Sequence, residues 1–204
     1  MFRFLKENSY QVVRVFLYQI ALSFFGGMLA LAGGASGSDL VLAGVSLLSV
    51  VFYLYLIFSL FYDNGQKDGI RVDAGRLKDN KIKGFAIAGA ASVINFLLGV
   101  LTVIFKSLIK DVALGQNLSS LTEEQASALA PKWAASAYEI THTIAKAIQC
   151  MYVGIMKVFF SGNVIILLII PIPAIITAGV AYRLGVRYCK GFSKKKMQAE
   201  RYKN

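Results

Sequence analysis

The chain has 204 residues, 56% of them hydrophobic and only 16% charged, with a formal net charge of +11. Soluble domains carry about 25% charged residues, so this composition excludes an ordinary soluble domain and points to a membrane protein. A basic excess of this kind serves nucleic acid, an anionic membrane surface or topology signalling, and its distribution along the chain decides which.

Crossing a bilayer as a helix takes about 20 apolar residues. The first predicted span covers 12–33, where Val15 to Ala32 is apolar and Val12 and Val13 extend the run. Phe16 to Ala32 also resembles a signal-peptide core, with Ala30-Leu31-Ala32 as a cleavage site. The run outlasts the roughly 7–15 residues of such a core, so the expectation is an uncleaved span. The second span covers 40–62 without a charge, and Tyr53, Tyr55 and Tyr62 on it suit an interfacial aromatic belt.

Residues 63–83 break the apolar pattern with a charged stretch in which Asp63, Asp68, Asp73 and Asp79 alternate with Lys67, Arg71, Arg76, Lys78, Lys81 and Lys83. A topology signal needs only the cations. The interleaved acids therefore predict a defined local fold or a docking face, with Lys67, Asp68, Arg71, Asp73 and Arg76 as its candidate residues. Gly65, Gly69, Gly75 and Gly84 interrupt the stretch.

The third span covers 84–105. Gly84, Ala88, Ala91, Asn95 and Gly99 recur at helical spacing and predict a small-residue face for close helix packing. An amide in hydrocarbon is costly unless bonded, so Asn95 is expected to face another helix or a polar path. The connection over 106–162 is predicted to be helical and to lie outside. Thr122-Glu123-Glu124-Gln125 is a capping box, Ala126 to Ala130 a short helix, and Pro131 suits the first turn of the next. From Trp133 to Phe159 apolar residues repeat every three or four positions, as in an amphipathic helix. Such a helix lies on the interface, packs on the span ends or meets another subunit. A fifth span over Ile144 to Phe160 is the rival, and the charge rule opposes it.

The fourth span covers 163–185 and contains Pro171-Ile172-Pro173. Each proline lacks a donor, so the carbonyls of Leu167 and Ile169 lose their helical partners and a kink follows. Pro171, Ala174, Ala178, Ala181 and Gly185 share a small face expected to meet the third span. The tail, 186–204, is polybasic. Lys194, Lys195 and Lys196 are its candidate contacts to anionic inner-leaflet lipid, worth about 1 kcal/mol each near such a surface.

Lysine and arginine crowd the N-terminal flank, the 63–83 turn and the tail, while the Gly33–Asp39 link has none. The positive-inside rule then places these three segments and both termini in the cytoplasm of a cell membrane. Topology accounts for most of the charge, and nucleic-acid binding is not expected. The fold class is all-α: four transmembrane helices plus one or two amphipathic helices in the outer connection, as one membrane domain.

Chemistry is sparse. Phosphate-loop, dinucleotide, zinc-protease and nucleophile-elbow motifs are missing. The spacing of Cys150 and Cys189 fits neither a disulfide framework nor a zinc site, and the lone His142 excludes a multi-histidine metal centre. Neither catalysis, cofactor nor metal is expected.

The pattern G-x-K-D-x-x-R-V-x-x-G-R from Gly65 to Arg76 resembles a turn in small, uncharacterised bacterial multi-pass membrane proteins. The likeness covers this turn and the start of the third span. It implies a bacterial cytoplasmic membrane and an all-helical fold, and no activity. The expected function is a non-enzymatic, partner-binding or accessory subunit whose partner is a membrane or cytosolic protein or a second copy. The alternative is a small transporter or permease subunit with Asn95 and the Pro171/Pro173 kink near the path, and Gly84, Ala88 and Gly99 packing or lining it.

Overall fold

A computed structural model describes residues 2–115, 131–160 and 163–201, with side chains in the last segment followed as far as Cys189. Every regular element among them is helical: α1 (Phe2–Glu7), α2 (Ser9–Gly34), α3 (Asp39–Asp73), α4 (Lys83–Ala91), α5 (Val93–Gly115), α6 (Lys132–Ile148), α7 (Val153–Phe160), α8 (Ile166–Ile169) and α9 (Ile172–Arg201). Three segments are long and apolar enough to cross a membrane: Ser9–Gly34, Asp39–Asp73 and Ile166–Cys189. The number rises to 5 if α4 with α5, and α6 with α7, each count as one broken span. The capping box at Thr122 and the short helix after it lie outside the described residues.

The chain clusters into two compact units. The first gathers 1–18, 51–92 and 172–204; the second gathers 19–50 and 93–171. Helices α2 and α3 contribute residues to both.

In the first unit the charged stretch is mostly helix. Helix α3 does not stop at Tyr62 but runs to Asp73. At 35 residues it is about 52 Å long, against roughly 30 Å of hydrocarbon. A Schellman motif ends it. Gly75 takes φ 70, the Arg76 N–H reaches the Arg71 carbonyl at 2.9 Å, and the Gly75 N–H reaches Val72 at 3.1 Å. Of the glycines expected to interrupt the stretch, only Gly75 does so. Gly65 and Gly69 lie inside the helix and admit α9. A Cβ on Gly65 would fall on the Tyr182 carbonyl, and one on Gly185 on the Tyr62 carbonyl. A Cβ on Gly69 would come within 3.0 Å of the Val186 carbonyl. The small face of α9 thus meets α3 through Gly185 as well as α4, which packs along α9 with Gly84 against Ala178 and Gly179. Tyr53, expected in an aromatic belt, is buried, whereas Tyr55 is exposed.

The second unit contains α2 from Gln19 onward and α3 as far as Val50, with α5 to α8. The loop after α2 turns at Gly37, φ 69, and the Ser36 hydroxyl bonds the Gly33 carbonyl at 2.6 Å. The helix expected from Trp133 to Phe159 is broken at Gln149. Helices α6 and α7 meet at 81° through a short 3-10 turn, Cys150–Tyr152. Helix α6 packs on α5 through its small residues, with Ala134 and Ala145 buried. Its large apolar side, Trp133, Ile140 and Ile144, is exposed.

The small-residue face drawn along the third span is divided between two helices. Ser92, at φ -86 and ψ -3, ends α4, and α5 starts afresh at Val93. Gly84 and Ala88 belong to the first unit, Asn95 and Gly99 to the second.

Alanine at a helix glycine usually gains about 0.5–1 kcal/mol. Gly89 has open space around its Cβ position, whereas Gly65 and Gly185 face backbone. Gly89→Ala is therefore expected to raise the melting temperature in detergent, and Gly65→Ala or Gly185→Ala to lower stability by about 1–3 kcal/mol. Thermal denaturation of the three variants checks the opposite signs.

Candidate functional site

Two polar clusters stand out, one in each unit. The first centres on Asp68, which helical spacing turns toward α9 and α4 and leaves 4% exposed. The Lys83 ammonium donates to its Oδ2 at 2.6 Å, and the Tyr182 hydroxyl donates to the same oxygen at 2.8 Å. The Arg71 guanidinium lies 3.8 Å from Oδ1. A carboxylate taken out of water needs such partners, since desolvation is only offset by good pairing. The hairpin is further tied down by Arg183, which donates to the Lys81 carbonyl at 3.0 Å and lies over the Phe85 ring.

Asp68 is thus a structural hub and not the docking charge expected of it. Burial removes it from any partner. Lys67, Arg71, Asp73 and Arg76 are exposed, as a docking face requires. Lys67 and Arg71 also line a cavity of about 230 Å³ between α2 and α3, together with Tyr10, Gln11, Arg14 and Asn64. An adjoining cavity of about 180 Å³ shares Arg14, Asn64 and Lys67 and adds Tyr18, Ser59 and Asp63. Lys194, Lys195 and Lys196 fall on α9, but their side chains lie outside the described residues.

The second cluster is made of neutral groups that satisfy broken helices. Asn95, 1% exposed, donates from Nδ2 to the Gln19 Oε1 at 2.9 Å, the interhelical bond expected of it. Pro171 ends α8 and deprives the Leu167 carbonyl of its helical donor. Gln149 supplies one instead, its Nε2 reaching Leu167 O at 3.3 Å. The Ser23 hydroxyl donates to the Ile148 carbonyl at the end of α6. The Gly154 N–H, in the first turn of α7, donates to the Ser46 hydroxyl at 2.9 Å. Pro173 stands in the first turn of α9, where its missing N–H removes no intrahelical bond. Asn95 Oδ1, Gln149 Oε1 and the Tyr152 hydroxyl are buried without a protein partner. Gly99 meets Leu168 on α8.

Sequence reasoning missed Gln19, Gln149, Tyr182 and Arg14. Gln19 carried the same signal as Asn95, an amide inside an apolar run. Gln149 and Tyr182 carried none, because only the folded chain shows which carbonyl or carboxylate each one meets. Among the described residues no group of carboxylates, cysteines and histidine is placed to hold a metal ion.

No protein-family model, curated protein or solved structure matches the chain, so its function is read from its own residues.

Removing one member of a buried ion pair strands the other and costs about 3–5 kcal/mol. Asp68→Ala is expected to lose that much stability in detergent. Asp68→Leu combined with Lys83→Met is expected to lose markedly less, which a thermal or denaturant double-mutant cycle measures.

Proposed function

We propose that this chain is a non-enzymatic multi-pass membrane protein of the cytoplasmic membrane that acts through a protein partner, with both termini and the α3–α4 hairpin on the cytoplasmic side. The observation that carries the reading is the Asp68 hub. It binds the hairpin to α9 and holds the end of α3 in a set orientation, with Arg71, Asp73 and Arg76 turned outward. A solvated connecting loop needs no buried carboxylate, no Schellman stop and no glycine-mediated helix contact. A rigid, charged edge is what recognition by a protein requires, since fixed charges set register and exclude wrong partners. Anionic inner-leaflet lipid is the further contact proposed for the basic tail. The length and composition of α2, α3 and Ile166–Cys189 support membrane insertion. The many large apolar side chains exposed along them support it as well: Phe24, Leu31 and Leu40 are 72%, 79% and 82% exposed.

A second reading, a small transporter subunit, is favoured by one observation. Asn95, Gln149 and Tyr152 bring unpartnered polar atoms together with a proline-broken helix in one unit, and polar groups at broken helices line transporter sites. Asn95→Leu with Pro171→Leu separates the readings. Lost solute flux with retained assembly supports transport, and unchanged flux removes it.

For the first reading the expected outcome is release of a co-purifying protein when Asp73→Lys and Arg76→Glu are combined. Mild detergent purification followed by identification of retained proteins checks this. An unchanged set of proteins contradicts it.

A further inference from the structure

The cavity between α2 and α3 gathers three cations, of which the partner reading uses only Arg71. Arg14, Lys67 and Arg71 all line it, with Asn64, Tyr10, Gln11 and the Asp68 carboxylate in the same polar wall. Lys67 and Arg71 are one helical turn apart on α3, and like charges at that spacing repel. Arg14 is held in place by Tyr18: its Nε and Nη2 donate to the phenol oxygen at 3.1 and 2.9 Å. The Nη1 hydrogens of Arg14 remain free for another acceptor, because a guanidinium carries five donors. Lys67 makes no ion pair among the described residues. The two carboxylates nearby offset only part of this charge. Asp68 spends Oδ2 on Lys83 and Tyr182, and its Oδ1 faces Arg71 at 3.8 Å. Asp63 lines the adjoining cavity and is exposed.

We infer that this cavity is a binding site for the phosphate of an anionic lipid headgroup. Phosphate oxygens accept the planar donors of Arg14 and the point charge of Lys67, and relieve the repulsion between Lys67 and Arg71. The depth selects lipid over a soluble phosphate. The apolar run of α3 ends at Tyr62, so Asn64 and Lys67 sit just beyond it, at headgroup level on the membrane reading. Leu56 and Leu60 continue the lining below the charges, where the acyl chains begin. Basic recesses between helices at this level are the usual seat of anionic headgroups. The site depends on membrane insertion but not on a protein partner; it shares Arg71 with the proposed edge, while Arg14 and Lys67, which its test changes, lie outside that edge.

Native mass spectrometry of the full-length protein in detergent tests the site, with phosphatidylglycerol, phosphatidylcholine and inorganic phosphate as separate probes. Phosphatidylglycerol is expected to bind in preference to phosphatidylcholine. Arg14→Gln with Lys67→Gln is expected to lower its affinity about tenfold or more, while Lys67→Arg keeps it. Should the double variant fail to fold, Lys67→Gln alone carries the test, since Lys67 is exposed and bonded to nothing structural. Equal binding of the two lipids, or undiminished phosphatidylglycerol binding by a folded variant, overturns the proposal. Saturation by inorganic phosphate with no lipid preference overturns the lipid assignment and gives the site to a soluble anion.

Discussion

A helix that breaks where it is buried must find new partners for the backbone groups it frees, because no water is there to take them. The second unit is organised by that constraint. Pro171 releases the Leu167 carbonyl, and Gln149 bonds it. Helix α6 ends at Ile148, and Ser23 bonds its last carbonyl. Helix α7 starts at Val153, and Ser46 accepts the N–H of Gly154. Each side chain comes from a different stretch of chain than the group it satisfies, so the breaks are possible only once the helices have packed. The 81° corner between α6 and α7 follows from these bonds and from the small contacts that bring the backbones close: Gly26 to Met151, Gly154 to Leu42.

The first unit meets the same constraint with charge. A helix of 35 residues carries its ionisable end beyond the apolar run, and Asp68 is turned inward there. Lys83 and Tyr182 reach it from α4 and α9, so one carboxylate joins three elements. Gly65, Gly69, Gly84 and Gly185 remove the side-chain bulk that would hold those elements apart. The backbone that carries the exposed cations, Lys67, Arg71 and Arg76, is then held by groups that do not face solvent. Both proposals for this unit, a protein edge and a headgroup cavity, draw on that rigidity.

Much of the architecture was legible in the sequence because hydropathy and charge are local signals. The apolar runs and the helix start after Pro131 could be read from the residues themselves. The need of Asn95 for a partner could be read too, though not which residue would meet it. The missing elements depended on tertiary pairing. That Gly65 and Gly69 continue a helix while Gly75 ends one is decided by the approach of α9, since a glycine permits either outcome. The periodic face of Trp133, Ile140 and Ile144 was read correctly as apolar. Its direction was not encoded, because a small face packs more closely on α5 and leaves the large one outward. Asp68 looked like one more surface acid until Lys83 and Tyr182 were placed around it.

The central claim is that α3 crosses a membrane and delivers the basic hairpin to the cytoplasmic side. In a background of Cys150→Ser and Cys189→Ser, single cysteines at Ala35→Cys and Lys78→Cys flank that helix at exposed positions. Labelling of intact cells with an impermeant maleimide tests the claim directly. The account predicts that the Ala35→Cys protein reacts from outside and the Lys78→Cys protein only after the membrane is opened. Reaction of both from the same side contradicts the crossing, and the reverse pattern contradicts the orientation.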